Sequence, residues 1–301
     1  DNSTSINVSN LQSSFNFQID PSFVPLNTNY NLRKKIGAPF AADIVINSHC
    51  FACTKDALLV LSCGHWDFSV KCSWLDNSRP LQSLTAHKDI VTCLALGVDS
   101  KTFVTGSKDT TLLVWEIQYQ KGIPYRVDEN PIHILYGHND DITCVSINIG
   151  LDICVSGSKD GTCIVHNLNQ GTYLRSIWHP EQLSIQLVEV SNMGHIFFFS
   201  KDDSTLYGYT INGNFIGKLN TEGKINDIMI SRDSKYVITG GESGIIYIYN
   251  VFSMKCIQKI PVDDPIISIT MSHDELGIIV GLRNGSISII VVEEHAQEPI
   301  Y

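Results

Sequence analysis

The chain predicts an all-β fold, a β-propeller of four-stranded antiparallel blades, on three observations. The first is a period. VTCLALGVDSKTFVTGSKDTTLLVWEI (91–117) realigns without gaps with ITCVSINIGLDICVSGSKDGTCIVHNL (142–168). INDIMISRDSKYVITGGESGIIYIYNV (225–251) and IISITMSHDELGIIVGLRNGSISIIVV (266–292) fit the same template, and 46–75 and 184–211 are divergent copies. The second is the grammar of each copy: three short runs rich in Val, Ile, Thr, Phe and Tyr, separated by Gly, Asp, Asn and Ser, with a fourth run ahead of most copies. That reads as strand–turn–strand–turn–strand. The third is that no useful stretch repeats every 3.6 residues, so helix is expected to be nearly absent.

Taken in order, the strands of each copy are named a, b, c and d from the inner edge outward. The b–c turn is anchored by Asp67, Asp109, Asp160, Asp203, Ser243 and Asn284, giving steps of 42, 51, 43, 40 and 41 residues. The long step marks one blade with an extra loop, QYQKGIPYRVDENP (118–131). A single blade cannot bury both of its faces, so blades must stack side by side around an axis, which explains the apolar inner runs. Six a–b–c units are visible within 39–301. Residues 1–38 read as N-terminal strand material (SINVSNLQSSFNFQID) completing a blade, followed by a Pro/Asn-rich connector. Seven blades are expected, six being the alternative.

Composition narrows the function classes. The net charge is −10. A field of that sign repels phosphate, which argues against nucleic acid and against direct binding to anionic membranes. Nine cysteines, an odd number, lie mostly in apolar β-like runs, the pattern of reduced core thiols in a cytoplasmic protein. The polar start DNSTSINVSN has neither the basic nor the apolar region of a signal peptide, and no run of eighteen apolar residues occurs.

TAHKDIVTC…VTGSKDTTLLVWEI resembles a WD repeat. The resemblance implies a hydrogen-bonded relay of four side chains: a His before strand a, a Ser/Thr in strand b, the Asp of the b–c turn and a Trp in strand c. The second copy has all four, His87, Thr105, Asp109 and Trp115. The third has His138, Ser156 and Asp160, with His166 in the place of Trp. Elsewhere the relay is eroded, with Ser243 and Asn284 for the Asp and Tyr209, Tyr249 and Ile290 for the Trp. In LSCGHWDFSVKCSW (61–74), Cys63 is read at the strand-b place of Thr105, Gly64 as opening the turn and Asp67 as its anchor. That string, with HKDIVTCLA, TGSKDTTLLVWE, GHNDDITCVS, SRDSKYVITGGESG and the ending GSISIIVVEEHAQEPIY, is similar to the C-terminal propeller of BEACH-domain proteins, the neurobeachin and beige-like group. The resemblance implies a fragment of a larger protein acting in vesicle trafficking, membrane dynamics and autophagy-linked scaffolding.

Four kinds of site can be weighed. His49, Cys50, Cys53, Cys63, His65, Asp67 and Cys72 crowd together, but residues three apart on a strand point to opposite faces, and Cys93 and Cys144 recur at one strand-a place as core residues. No metal and no cofactor is expected. Ser, His and Asp are plentiful, yet there is no G-x-S-x-G elbow and no H-E-x-x-H helix, so catalytic residues are not assigned. Asp227 is the one acid read in a strand-a run, and a hydrolase or lyase with chemistry near Asp227 or His195 is kept as an alternative. Binding is the favoured class. The residues just ahead of the turn anchors, Trp66, Lys108, Lys159, Asp202, Glu242 and Arg283, fall on the rim shared by the b–c and d–a loops. Each charge alone reads as ordinary solvated surface; the Trp among cations suits a peptide partner. Tyr119, Tyr125 and Arg126 of the 118–131 loop mark a second surface on the opposite rim. The expectation is a non-enzymatic, monomeric protein-interaction scaffold that reaches membranes only through partners. A phosphopeptide or ubiquitin reader on the Lys108/Lys159 rim is the alternative of the same class.

Overall fold

Turn residues cut the chain into strands short enough to form separate sheets. The computed structural model describes residues 48–76, 79–272 and 277–291. A single turn of 3-10 helix, Ser48–Cys50, leads into blade 1, made of Phe51–Cys53, Leu59–Ser62, Val70–Trp74 and Pro80–Leu84. Blade 2 is Val91–Leu96, Thr102–Ser107, Leu112–Gln120 and His133–Leu135. Blade 3 is Ile142–Asn148, Ile153–Ser158, Thr162–Asn167 and Tyr173–Trp178. Blade 4 is Leu187–Val190, His195–Ser200, Thr205–Thr210 and Phe215–Asn220. Blade 5 is Ile225–Ile230, Tyr236–Gly241, Ile245–Asn250 and Cys256–Pro261. Blade 6 shows three described strands, Ile266–Met271, Gly277–Leu282 and Ile287–Val291. All pairings are antiparallel, in the order a-b-c-d. The described residues thus form six blades. The N-terminal strand material read in 1–38, which bears on a seventh, lies outside the described residues.

Consecutive inner strands face one another around the axis. A bulge falls at the same place of strand a in four blades, between Val91 and Cys93, Ile142 and Cys144, Ile225 and Asp227, and Ile266 and Ser268. The extra residue of a bulge is released from the ladder and its side chain is re-aimed. In three of them it reaches the next blade. Thr92 Oγ1 donates to the Ile142 carbonyl at 2.5 Å, Thr143 Oγ1 donates to the Ile185 carbonyl, and Asn226 Nδ2 donates to the Ile266 carbonyl at 2.8 Å. Strand b must be thin opposite this point: a Cβ on Gly157 would lie 2.6 Å from Ile185 Cγ2 and 2.7 Å from Cys144 Sγ.

The core lies in the wedges between blades. Val70, Cys72 and Leu84 of blade 1 meet Val91, Leu94 and Phe103 of blade 2, and similar clusters fill the later junctions. Phe197, Phe198 and Phe199 are all fully buried, because successive side chains of this strand enter the wedges on both sides. At about 1.5–3 kcal/mol for a fully buried large apolar side chain, these wedges supply the main drive to stack.

Two expectations need correction. Residues 118–131 are not simply a loop. Strand c of blade 2 runs on to Gln120 and returns as Ile123–Val127 through Lys121 and Gly122, both in the left-handed region, a two-residue hairpin. Its outer strand is pinned to blade 1, where Gln82 Nε2 donates to the Val127 carbonyl (2.7 Å) and Gln82 Oε1 accepts from Val127 N–H (3.0 Å). Nor does Cys63 stand in the place of Thr105. Ser62 pairs with Lys71 as Thr105 pairs with Leu113, so Ser62 is the counterpart and Cys63 matches Gly106. Gly64 is an added turn residue that shifts the alignment by one.

Candidate functional site

The upper rim, where the b–c and d–a loops meet, is built on the relay. In blade 2 His87 Nδ1 lies 3.0 Å from Asp109 Oδ2, and His87 Nε2 lies 2.9 Å from Thr105 Oγ1. Trp115 Nε1 donates to the same Thr105 oxygen at 3.0 Å. Asp109 also accepts from Lys88 N–H (2.8 Å) and Thr111 N–H (2.9 Å), which ties the d–a loop to the b–c turn. Burial alone would push the Asp109 carboxyl up; the hydrogen bonds from His87, Thr111 and Lys88 outweigh it and hold the carboxyl well below the usual carboxylate range. Blade 3 repeats the geometry, with His138 Nδ1 3.2 Å from Asp160 Oδ2 and His138 Nε2 2.8 Å from Ser156 Oγ. Asp160 is held low by the same balance. His166 does not take the part of Trp115: its Nε2 turns outward to the Tyr136 carbonyl at 3.0 Å.

Sequence reading missed a third histidine. His179 sits on the d–a loop before blade 4, with its Nε2 3.3 Å from Asp203 Oδ2. Its Nδ1 accepts from Glu181 N–H at 3.2 Å, and its Nε2 is buried without a hydrogen-bond partner. Tyr207 is the side chain that donates to Asp203 Oδ2 (3.0 Å). Phe198 replaces the strand-b hydroxyl, and the relay gives way to rings: Phe198 stacks on Tyr207 (5.4 Å) and on Tyr209 (5.6 Å). The available signal was a His two residues further from its Asp than in blades 2 and 3. In blade 5 Thr221 and Ser243 stand where His and Asp would be. A small pocket opens there, lined by Thr221, Glu222, Lys224, Thr239, Ser243 and Tyr247.

The tip residues differ in availability. Trp66 is 48% exposed, while His65 beside it is buried with its Nε2 3.0 Å from Ser62 Oγ. Lys108 is half-buried at its tip. Lys159 is exposed but committed, its Nζ 2.6 Å from Asp141 Oδ2 on the neighbouring loop. Arg283 lies 3.9 Å from Glu242 Oε1, across the blade 5–blade 6 junction. On the opposite rim Tyr125 and Arg126 project from the hairpin, both exposed, and Arg126 pairs with Asp128 at 2.9 Å. The structure therefore groups these residues on two rims rather than in one cleft.

Two acids lie on inner strands of neighbouring blades. Asp227 is the strand-a residue already singled out; Glu189, in blade 4, was overlooked. Asp227 works as a clamp, its Oδ1 accepting from Ile228 N–H (3.0 Å) and its Oδ2 from Ile269 N–H of blade 6 (2.8 Å). His49 Nε2 is 4.0 Å from Asp227 Oδ1. Burial, opposed by a bond to Ser146 and aided by the Asp227 charge, pushes the Glu189 carboxyl up to about 8. His195 is elsewhere, packed edge-on against Phe252 at 5.3 Å. Asp227 and His195 do not form one site. Among the described residues no cluster of three or more His, Cys, Asp or Glu is arranged to hold a metal ion, and no helix is long and apolar enough to cross a membrane.

The model of the neurobeachin beta propeller domain matches residues 5–298. The chain belongs to the neurobeachin propeller family. This neurobeachin-type propeller is 33% identical over 277 residues to BEACH domain-containing protein B of Arabidopsis thaliana, covering 86% of the chain and 11% of that protein. It is 29% identical over 294 residues to BEACH domain-containing protein lvsE of Dictyostelium discoideum, covering 92% of the chain and 13% of that protein. The chain thus spans roughly a tenth of the length of these relatives. Among solved structures it is similar to a chain of a mitotic checkpoint complex crystal structure, with a TM-score of 0.68, 13% identity and coverage of 81% of this chain and 74% of that one, a likeness of fold alone.

Proposed function

We propose that this neurobeachin-type propeller is a non-enzymatic docking platform, the C-terminal interaction module of a BEACH-type protein in vesicle trafficking, membrane dynamics and autophagy. The observation that carries the reading is Trp66. A tryptophan held at a turn tip by a buried neighbour, yet left 48% exposed, contributes little to the core and has the area and rigidity of an interface anchor. Lys108 follows one blade later on the same rim, and the Tyr125/Arg126 hairpin offers a separate surface below. The upstream domains of such a protein and its protein partners are the intended occupants; membranes are reached through them, in the cytoplasm. A phosphopeptide or ubiquitin reader is disfavoured by the pairing of Lys159 with Asp141, since an incoming phosphate must first displace a carboxylate 2.6 Å away.

The test is affinity capture from cytosolic extract with the wild-type propeller, Trp66→Ala, and the double variant Lys108→Glu/Lys159→Glu. Trp66→Ala is expected to lose one set of partners while the fold, read by circular dichroism, is kept. Unchanged capture by both variants would remove the upper rim from the reading.

A further inference from the structure

The c–d turns of blades 3 and 4 put polar residues at the lower rim, Asn169-Gln170 and Asn212-Gly213. Blade 5 instead presents Phe252, 66% exposed, and the a–b turn of blade 4 presents Met193, 72% exposed. They are the two most exposed large apolar side chains in blades 3 to 5. Neither hangs on a loose loop. Asn250 Oδ1 accepts from Phe252 N–H (3.0 Å) and Ser253 N–H (2.9 Å). Ser191 Oγ accepts from Met193 N–H (3.3 Å) and His195 N–H (2.9 Å). The His195 ring packs edge-on against Phe252, and Asn192 Nδ2 donates to the Arg232 carbonyl at 3.2 Å, so the turns of the two blades are tied together. A Cβ on Gly194 would lie 3.8 Å from Leu151 Cδ1, which extends the apolar surface into blade 3.

Charge here runs against the sign of the chain. The turns at 191–195, 210–215, 231–236 and 250–255 hold Arg232, Lys235 and Lys255 against one acid, Asp233, in a chain of net charge −10. All three cations are exposed. Asp233 is engaged inside its own turn, where it accepts from the Ser231 hydroxyl and from Lys235 N–H (3.0 Å) and pairs with Lys235 Nζ at 3.4 Å. Arg175 of blade 3 adds a fourth cation over the blade 4 turn, its Nη1 3.0 Å from where a Cβ of Gly213 would stand. Apolar tips that the core does not use, set among cations, have the composition of a recognition surface.

We propose that this face of blades 4 and 5 binds an acidic segment of a partner protein. The segment lays a large apolar side chain on Met193 and Phe252 and sets carboxylates against Arg232, Lys235 and Lys255. The site lies apart from the upper-rim docking surface, and neither reading depends on the other. A peptide fits the charges better than an anionic bilayer does. Screening confines each interaction to about 8 Å at physiological ionic strength, so a short acidic segment meets only the local cations. A bilayer meets the whole rim, where Asp99 and Asp152 stand at the lower turns of blades 2 and 3 and the net charge opposes approach.

Selection of a displayed random-peptide library on the full chain tests this, with Met193→Ser/Phe252→Ser used to remove peptides that bind elsewhere. Enriched peptides are expected to hold Asp or Glu around a Leu, Phe or Trp, and to bind more weakly as salt rises. Lys235→Glu/Lys255→Glu should weaken them at least about tenfold by fluorescence anisotropy. Trp66→Ala should bind them as the wild type does, which separates this face from the upper rim. The four substituted lower-rim side chains are exposed, and circular dichroism checks that each variant keeps the fold. Enrichment of no acidic peptide, or of peptides that Lys235→Glu/Lys255→Glu binds as tightly as the wild type, would overturn the proposal. So would vesicles of phosphatidylcholine and phosphatidylserine that the wild type binds and Lys235→Glu/Lys255→Glu does not, with no acidic peptide selected, since the face would then belong to a membrane.

Discussion

Each relay histidine presents one ring nitrogen to a carboxylate, and what faces the other nitrogen decides its effect. For His87 and His138 it is a strand-b hydroxyl, so loop, turn and strand are joined through one ring. Thr105→Val leaves both His87 and Trp115 without their shared oxygen, and an unsatisfied buried donor costs about 1–3 kcal/mol. Urea denaturation followed by circular dichroism should show a loss of that order. The carboxyls of Asp109 and Asp160 are held below their ordinary range, so their stabilisation is complete above about pH 4 and is lost as pH falls through the folded-state values. Asp109→Asn/Asp160→Asn should therefore flatten the acid limb of a stability profile taken between about pH 2 and 6. These residues were legible because the two copies realign without gaps and resemble a WD repeat, which implies the relay at these places. His179 was not, since two extra residues in its loop and the loss of the hydroxyl erased the pattern around it.

At the scale of the blade, polar relay and aromatic stack are two ways of fixing the same three strands. Blade 4 uses Phe198, Tyr207 and Tyr209, and its stability should depend on ring volume rather than on pH. Phe198→Ala is expected to cost about 3–5 kcal/mol, read as a shift in the denaturation midpoint. Phe198→Thr, although it restores the hydroxyl of blades 2 and 3, should not recover the loss, because His179 Nδ1 is already engaged by Glu181 N–H. Strand order and turn anchors were readable from β-branched runs and turn residues. The hairpin at 118–131 was not, because Lys121-Gly122 is a weaker turn signal than Asn-Gly and the strands beside it are only half apolar. The Ser62 register was missed for a similar reason: one added glycine moves every assignment by a place.

For the whole molecule, the carbonyl-to-side-chain links from blade to blade place the ring's continuity close to its axis, where Glu189 and Asp227 also lie. Because the Glu189 carboxyl is raised to about 8, the folded state holds a proton that the unfolded chain gives up. Stability from this group is fully present below the ordinary carboxylate range and is lost as pH rises toward about 8. Glu189→Gln should therefore stabilise the propeller at alkaline pH and leave it nearly unchanged under acid conditions, as calorimetry at the two ends would show. None of this was legible in the sequence. Glu189 and Asp227 belong to different copies of the repeat, and only the stacking of inner strands gives the two carboxyls one environment. The same holds for Lys159, whose partner Asp141 is contributed by a different loop.

The distribution of thiols turns the ring into its own clock. Cys50, Cys63, Cys72, Cys93, Cys144, Cys154 and Cys163 are buried, and all lie in blades 1 to 3 or the turn that enters them. Burial pushes the Cys72 and Cys144 thiols up to about 12, far from the thiolate that alkylating reagents require. Only Cys53 and Cys256 are exposed, and Cys256 is the single cysteine beyond blade 3. Pulsed alkylation during denaturation would thus time the opening of the first three blades, with exposed Cys256 as the reference for a thiol that reacts at once. A ring that opens first at one seam would release its thiols in order of distance from that seam.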